Sequence, residues 1–261
     1  MLKSSLYKKF WSDGYIIIPN FLEKKDRDKI FFQLNQLLDI SVNNKDLKFK
    51  NIDEKYLFLK NNNPKLKSHY YDLTKYCDSL ISIASSDKFL KYAKLFLNSK
   101  TTFVDTPQIR IDHPDEKKHL PQHQELNQLS KDVITFWIPL VSVNKNNGGL
   151  YFRPKSHKLG HVIYKNSNLS AEKAGEGRME IINKLFNQKD YKKFKSITPS
   201  LKPGDAVIFH SFIFHGTHPI RTNKMRWVYT SRYNSIHNAP YLKDEKASLR
   251  ISYDANYNLI K

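Results

Sequence analysis

The chain is poor in the features that would mark several ordinary protein classes. It has one cysteine, Cys77, in 261 residues. No internal disulfide is possible, and the protein reads as one of a reducing, cytoplasmic compartment. The helical context of Cys77 makes it a buried structural thiol rather than a nucleophile. Long apolar runs are missing. The most apolar segment, residues 133–143, is about half the length a membrane-spanning helix needs and contains Pro139. The N-terminus, MLKSSLYKKFWSDGY, is charged and aromatic with no apolar stretch behind it, so no signal peptide is expected. Internal repeats and low-complexity tracts are absent as well.

What the chain does have is lysine. Lys and Arg number 44 against 25 Asp and Glu, a formal charge of +19. Such an excess invites a nucleic-acid reading. Yet no basic run is interleaved with aromatics as a nucleic-acid groove requires, and the lysines are scattered among Asn and Ile throughout. A solvated basic surface is the preferred reading, with attraction of an anionic substrate as the alternative. Hydrophobic residues make up 39% and aromatics 13%, enough for one folded domain of this length.

The first hundred residues read mainly as helices. Residues 23–40 place Ile30, Leu34, Leu37 and Leu38 at helical spacing. Residues 72–100 form a second helical stretch, broken near Ser85 and Ser86. Between them, residues 41–68 are polar and lysine-rich with the breaker Asn61-Asn62-Asn63-Pro64. A surface excursion with at most short elements is expected there. Tyr15 to Pro19 reads as a short strand after a turn at Asp13-Gly14. Beyond Lys100 the texture changes to β-rich runs at 101–112, 133–143, 149–153, 161–164, 206–217 and 226–233. A helical interruption is expected at 169–188. The expectation is a single domain over 1–261, mainly β with N-terminal helices: helical support over 1–100 and an antiparallel double-sheet barrel over 101–261.

The chemistry lies in Gln122-His123-Gln124-Glu125 and, some ninety residues later, Phe214-His215-Gly216-Thr217. On extended chain, residues two apart point the same way, so His123 and Glu125 can reach one ion together. A histidine from a distant strand completes a face of two imidazoles and one carboxylate. That set, with three positions left open, is the ligand pattern of non-haem iron(II) oxygenases. An H-x-E pair alone says little. The discriminating signal is Arg226, eleven residues after His215, with Thr217 two after it. A guanidinium among Met225, Trp227 and Val228 is suited to clamp the far carboxylate of a 2-oxo acid.

These residues resemble the phytanoyl-CoA dioxygenase family over nearly the whole chain. Residues 10–22, FWSDGYIIIPNFL, are similar to that family's opening. Asn147-Gly148-Gly149-Leu150 with Pro154-Lys155-Ser156-His157 resembles its central signature, and residues 204–210 resemble the strand leading to its distal ligand. The family's H-x-D, then H, then S or T two later and R eleven later fall on His123, Glu125, His215, Thr217 and Arg226. The resemblance implies a double-stranded β-helix (jelly-roll, cupin-like) core, Fe(II) and 2-oxoglutarate as cofactors and O2 as co-substrate. Two departures stand out: Glu125 replaces the usual Asp, and Lys155 replaces a glycine. The retained acid favours hydroxylation, because halogenating relatives lack a carboxylate there.

His210 stands at odd spacing from His215 and should face away, while His218 has no arginine at the expected distance. His157 and His161 read as structural, and His113 and His119 as contacts near the entrance. Gln108, Arg110 and Asp112 alternate onto one face of a strand similar to a pocket-lining strand of ectoine hydroxylases, so Gln108 and Arg110 are candidate substrate contacts. Arg232 shares strand parity with Arg226 and is a third candidate, with a structural ion pair as its alternative. The function expected is hydroxylation of a small, anionic or sugar-type substrate. A nucleic-acid demethylase of the same chemistry and a non-catalytic ligand-binding barrel are the rival readings.

Overall fold

A computed structural model describes residues 2–44, 46–114, 122–125, 133–160 and 193–235. Among the described residues six α-helices and eight strands run in the order α1 (Leu2–Asp13), β1 (Tyr15–Ile18), α2 (Lys24–Val42), α3 (Ile52–Asn62), α4 (Pro64–Thr74), α5 (Asp78–Ala84), α6 (Asp87–Leu97), β2 (Thr102–Val104), β3 (Gln108–Asp112), β4 (Val133–Pro139), β5 (Leu150–Phe152), β6 (Ala206–His210), β7 (His215–Thr217) and β8 (Arg226–Ser235). The expected strand at 161–164, the helix at 169–188, His119 and His161 lie outside the described residues. Among the described residues no helix is long and apolar enough to cross a membrane.

The strands form two antiparallel sheets. The larger runs β1-β6-β4-β8-β2, with β3 also paired to β8; the smaller is β5-β7. This is the double-stranded β-helix expected, with its helices at the N-terminal end. β8 organises the large sheet, because its ten residues pair with β4 on one side and with β2 and β3 in turn on the other.

Side-chain alternation along these strands separates two cores. Ile134, Phe136, Ile138, Ile208, Trp227, Tyr229, Tyr233, Ile109 and Ile111 face outward into one cluster with Ile30, Leu34, Leu80 and Phe96 of the helices. The opposite face sends Trp137, Val207, Phe209 and Val228 inward against Leu150, Phe152 and Ile213 of the smaller sheet side. A strand buried on both faces need not alternate in polarity, which is why β4 reads as an apolar run interrupted at Thr135 alone. Outer-face aromatics also fasten the helices: Trp227 Nε1 donates to Asp53 Oδ1 at 2.7 Å, and Tyr233 OH to the Ala84 carbonyl at 2.7 Å.

One expectation fails. Residues 41–68 are not a loop but hold α3 and most of the first turns of α4. The Asn-Pro breaker is the joint between two helices. Asn63 caps α4, its side chain accepting from the Leu66 N–H, and Pro64 sits in the first turn, where a missing N–H costs nothing. Asn51 caps α3 in the same way through the Glu54 N–H. The stretch from 72 to 100 breaks at Ser85-Ser86 as expected and also at residues 75–77. Cys77 is buried, just ahead of α5.

Candidate metal centre

His123 and His215 face each other across an antiparallel bridge. The His123 N–H donates to the His215 carbonyl at 2.8 Å, and the His215 N–H returns the bond at 3.0 Å. Two residues on, the Glu125 N–H donates to the Ser211 carbonyl at 2.9 Å, so the H-x-E segment is tied by its backbone to the chain on either side of Ile213. Its middle residue holds it there, since the Gln124 Nε2 donates to the Gly160 and Phe212 carbonyls. His215 begins β7 and is fixed from the other side by pairing with Phe152.

This framework brings the three side chains to one point. Glu125 Oε1 lies 3.8 Å from His123 Nε2 and 3.6 Å from His215 Nε2. One donor atom from each residue falls within 4.8 Å of the others. His215 Nδ1 is 2.9 Å from the Ile213 carbonyl. A carbonyl only accepts, so Nδ1 carries the proton and Nε2 presents a lone pair to the cluster. Burial raises the Glu125 carboxyl, but Arg232 and the two histidines outweigh it and hold the group well below the usual carboxylate range. Burial, then the neighbouring His123, pushes His215 below its ordinary value. An ionised carboxylate beside a neutral imidazole is the protonation state a cation needs, with no proton to displace.

The set fits a divalent iron. Adjacent corners of an octahedron with bonds of about 2.1 Å are about 3 Å apart, so the observed spacing closes with a small inward movement. The extra methylene of Glu125 does not carry the carboxylate past the histidines. The hard oxygen and borderline nitrogen donors, with no thiolate among them, match iron chemistry.

Two arginines on the inner face of β8 stand on either side of this point, six residues and about 20 Å of strand apart. Arg232 Nη2 donates to both Glu125 oxygens, at 3.3 and 3.2 Å. Arg226, 2% exposed, is held at the other end. Its Nε and Nη2 donate to Asp112 Oδ2 at 3.1 and 2.5 Å, and its Nη1 to the Gly148 carbonyl. Gly148 has a positive φ of 82°, and a Cβ there would meet Arg226 Nη1 at 2.9 Å, so this glycine lets the loop close over the guanidinium. Thr217, buried, pairs with Leu150 beside that loop.

Gln108 and Arg110 share the inner face with Asp112, opposite Thr230, Val228 and Arg226. Both are half-buried. Among the described residues Arg110 has neither a hydrogen-bond nor an ion-pair partner. Arg226 and Arg232, by contrast, are each paired with an acid from a neighbouring segment.

The rival histidines are elsewhere. His210 faces outward, its ring 5.3 Å from Trp11 and 5.8 Å from His157. Burial pushes it down to about 3. His157 donates to the Trp11 carbonyl at 3.0 Å, the structural role expected. His218 bonds Thr198, and His113 lies 3.2 Å from Lys60 Nζ. Two contributors escaped the sequence reading. Asp112 was seen on the pocket face but not as the partner of Arg226. Ser156 is wholly buried, donates to the Arg153 carbonyl and accepts from the Phe214 N–H, steering the chain into His215. Its place in the P-K-S-H motif was the available signal.

Solved structures resemble the chain at low identity. The epimerase SnoN, in complex with Fe3+, α-ketoglutarate and nogalamycin RO, superposes with a TM-score of 0.63 at 15% identity, over 90% of this chain and 84% of that one. EctD from S. alaskensis, with 2-oxoglutarate and 5-hydroxyectoine, gives 0.56 at 15% identity over 90% and 77%. The carbocyclase SnoK gives 0.53 at 16% over 88% and 83%. Such identities speak for the fold alone. Among curated proteins no sequence matches. The family model described as phytanoyl-CoA dioxygenase matches residues 10–228.

Proposed function

Because the chain belongs to the phytanoyl-CoA dioxygenase family, and is thus an Fe(II)- and 2-oxoglutarate-dependent oxygenase, we propose that His123, Glu125 and His215 hold its iron. The observation that carries the assignment is the convergence of their three donor atoms within 4.8 Å. On this reading Thr217, two residues after His215 on β7, and Arg226, bonded to the Gly148 carbonyl, hold the C5 carboxylate of 2-oxoglutarate. When bound, iron with 2-oxoglutarate and dioxygen supplies the oxidising power, the oxo acid leaving as succinate and carbon dioxide.

The chain's own residues bind and orient. The Ile213 carbonyl fixes the His215 tautomer. Arg232 holds both Glu125 oxygens, and the apolar inner wall of Trp137, Val207, Phe209 and Val228 keeps bulk water from the reacting face.

The substrate reading is a small molecule carrying an anionic group, and the reaction a hydroxylation. Support for the anion comes from Arg110, a pocket-facing guanidinium whose charge no described acid cancels. Gln108 beside it offers an amide to a neighbouring polar group, while the Arg232 Nη2 is engaged with Glu125. The same fold carries epimerisation and ring closure in SnoN and SnoK, so product mass decides the reaction. Incubating the iron-loaded enzyme with 2-oxoglutarate, oxygen and a pool of small acids should yield succinate and a product one oxygen heavier. A product of unchanged mass, or one two hydrogens lighter, would replace hydroxylation by epimerisation or cyclisation. Absence of succinate with every acid would remove the substrate reading.

A further inference from the structure

The far-carboxylate clamp is already engaged by a carboxylate of the chain. Asp112 stands directly opposite Arg226 in the β3–β8 register. Both of its bonds to the guanidinium pass through one oxygen, Oδ2. The acid is the more open member of the pair, 19% exposed at the side chain against 2% for Arg226. The Gly148 carbonyl occupies a third donor. A dicarboxylate that reaches Arg226 must therefore share the guanidinium with Asp112, and it brings a second negative charge to within a few ångströms of the first. Like charges that close, partly shielded from water, repel strongly enough to decide binding.

We propose that Asp112 sets the selectivity of the 2-oxo acid site. It opposes the C5 carboxylate of 2-oxoglutarate while leaving the chelating end of any 2-oxo acid unaffected. Asp112 is a specificity-determining residue: it narrows the margin by which a dianionic 2-oxo acid is preferred over a monoanionic one. The inference rests on the reading that Arg226 holds the far carboxylate.

The test is an anaerobic titration of the Fe(II)-loaded protein, following the visible charge-transfer band of the bound 2-oxo acid. Two ligands are compared: 2-oxoglutarate, and 2-oxobutyrate, which has the same chelating end and no second carboxylate. In the native protein 2-oxoglutarate should bind less than about tenfold more tightly, since the charge-assisted bonds to Arg226 are offset by Asp112. Asp112→Asn keeps the shape and an acceptor for Arg226 but removes the charge. It should tighten 2-oxoglutarate by on the order of tenfold and leave 2-oxobutyrate within about twofold. A native preference of a hundredfold or more overturns the proposal, as does an Asp112→Asn protein in which 2-oxoglutarate binding is unchanged or weaker. The underlying reading is checked separately with Arg226→Met placed in the Asp112→Asn background, which strands no buried charge. That protein should lose the preference for 2-oxoglutarate. If it keeps the preference, Arg226 is not the clamp and the proposal falls with that reading. Coincident thermal melts confirm that each variant is folded.

Discussion

Replacing Arg232 by Met should weaken the metal-free protein and make it unusually responsive to divalent cations. The two side chains of the Arg232–Glu125 pair are 18% and 19% exposed, so little water can take over from the lost guanidinium. Removing one partner of a fully buried pair costs about 3–5 kcal/mol. Discounted for this partial exposure and for protonation of the stranded acid, a loss of about 2–3 kcal/mol is expected. In a domain of this size that is a fall in Tm of roughly 4–12 °C. The pH dependence has a definite sign. The folded Glu125 carboxyl sits below its ordinary value, so its contribution is present above the unfolded pKa and disappears as pH falls through the folded one. The difference between native and variant protein should therefore be largest near neutrality and vanish in acid. Added Mn2+ or Fe(II), supplying the missing positive charge, should raise the variant's Tm more than the native protein's. Differential scanning calorimetry of the apo and metal-loaded proteins reads both quantities. A loss below about 1 kcal/mol, constant across pH, would refute the idea that Arg232 compensates a buried carboxylate.

Other outcomes follow from the same geometry. His210 is buried neutral, pushed from 6.5 to about 3, so folding favours its deprotonated form and stability is lost as pH falls below about 6.5. Urea titrations between pH 7 and 4 should show that loss, reaching several kcal/mol, and His210→Gln should flatten it. Gly148→Ala puts a Cβ against Arg226 and Ile220 at φ 82°. It should cost about 2–3 kcal/mol by the same melts, from the left-handed backbone and the displaced guanidinium, and weaken 2-oxoglutarate binding. Lys155 occupies a left-handed conformation, φ 69°. Lys155→Gly should raise stability by about 0.5 kcal/mol, the relief of backbone strain less the freedom glycine adds to the unfolded chain.

The sequence made the metal face legible through two-residue parity, which needs no tertiary information: His123 and Glu125 point together on any extended chain. His215 was separable from His210 because odd spacing on a strand reverses the face, and His210 does turn outward to Trp11. The inner and outer faces of β3 were readable by the same rule. Pairing between segments was not. Asp112 meets Arg226 because the β3–β8 register aligns them, and Arg232 meets Glu125 across segments that are not paired strands, each partner more than a hundred positions from the other. No local pattern encodes that alignment. Helices α3 and α4 were missed for the opposite reason: their polar surface hid the apolar contacts of Tyr56, Leu59 and Tyr70. Asn63-Pro64, read as a loop signal, is equally a helix-start signal. Lys155 shows the limit of reading a motif residue by residue, since only the backbone angle explains why glycine suits that turn.

The central claim, that His123, Glu125 and His215 form the iron site, is tested most directly by anaerobic spectroscopy. Fe(II) and 2-oxoglutarate added together to the native protein should produce the weak visible charge-transfer band of the chelate. His215→Ala, folded by its far-ultraviolet circular dichroism, should show no such band at matched concentrations. A band of undiminished intensity in that variant would contradict the assignment.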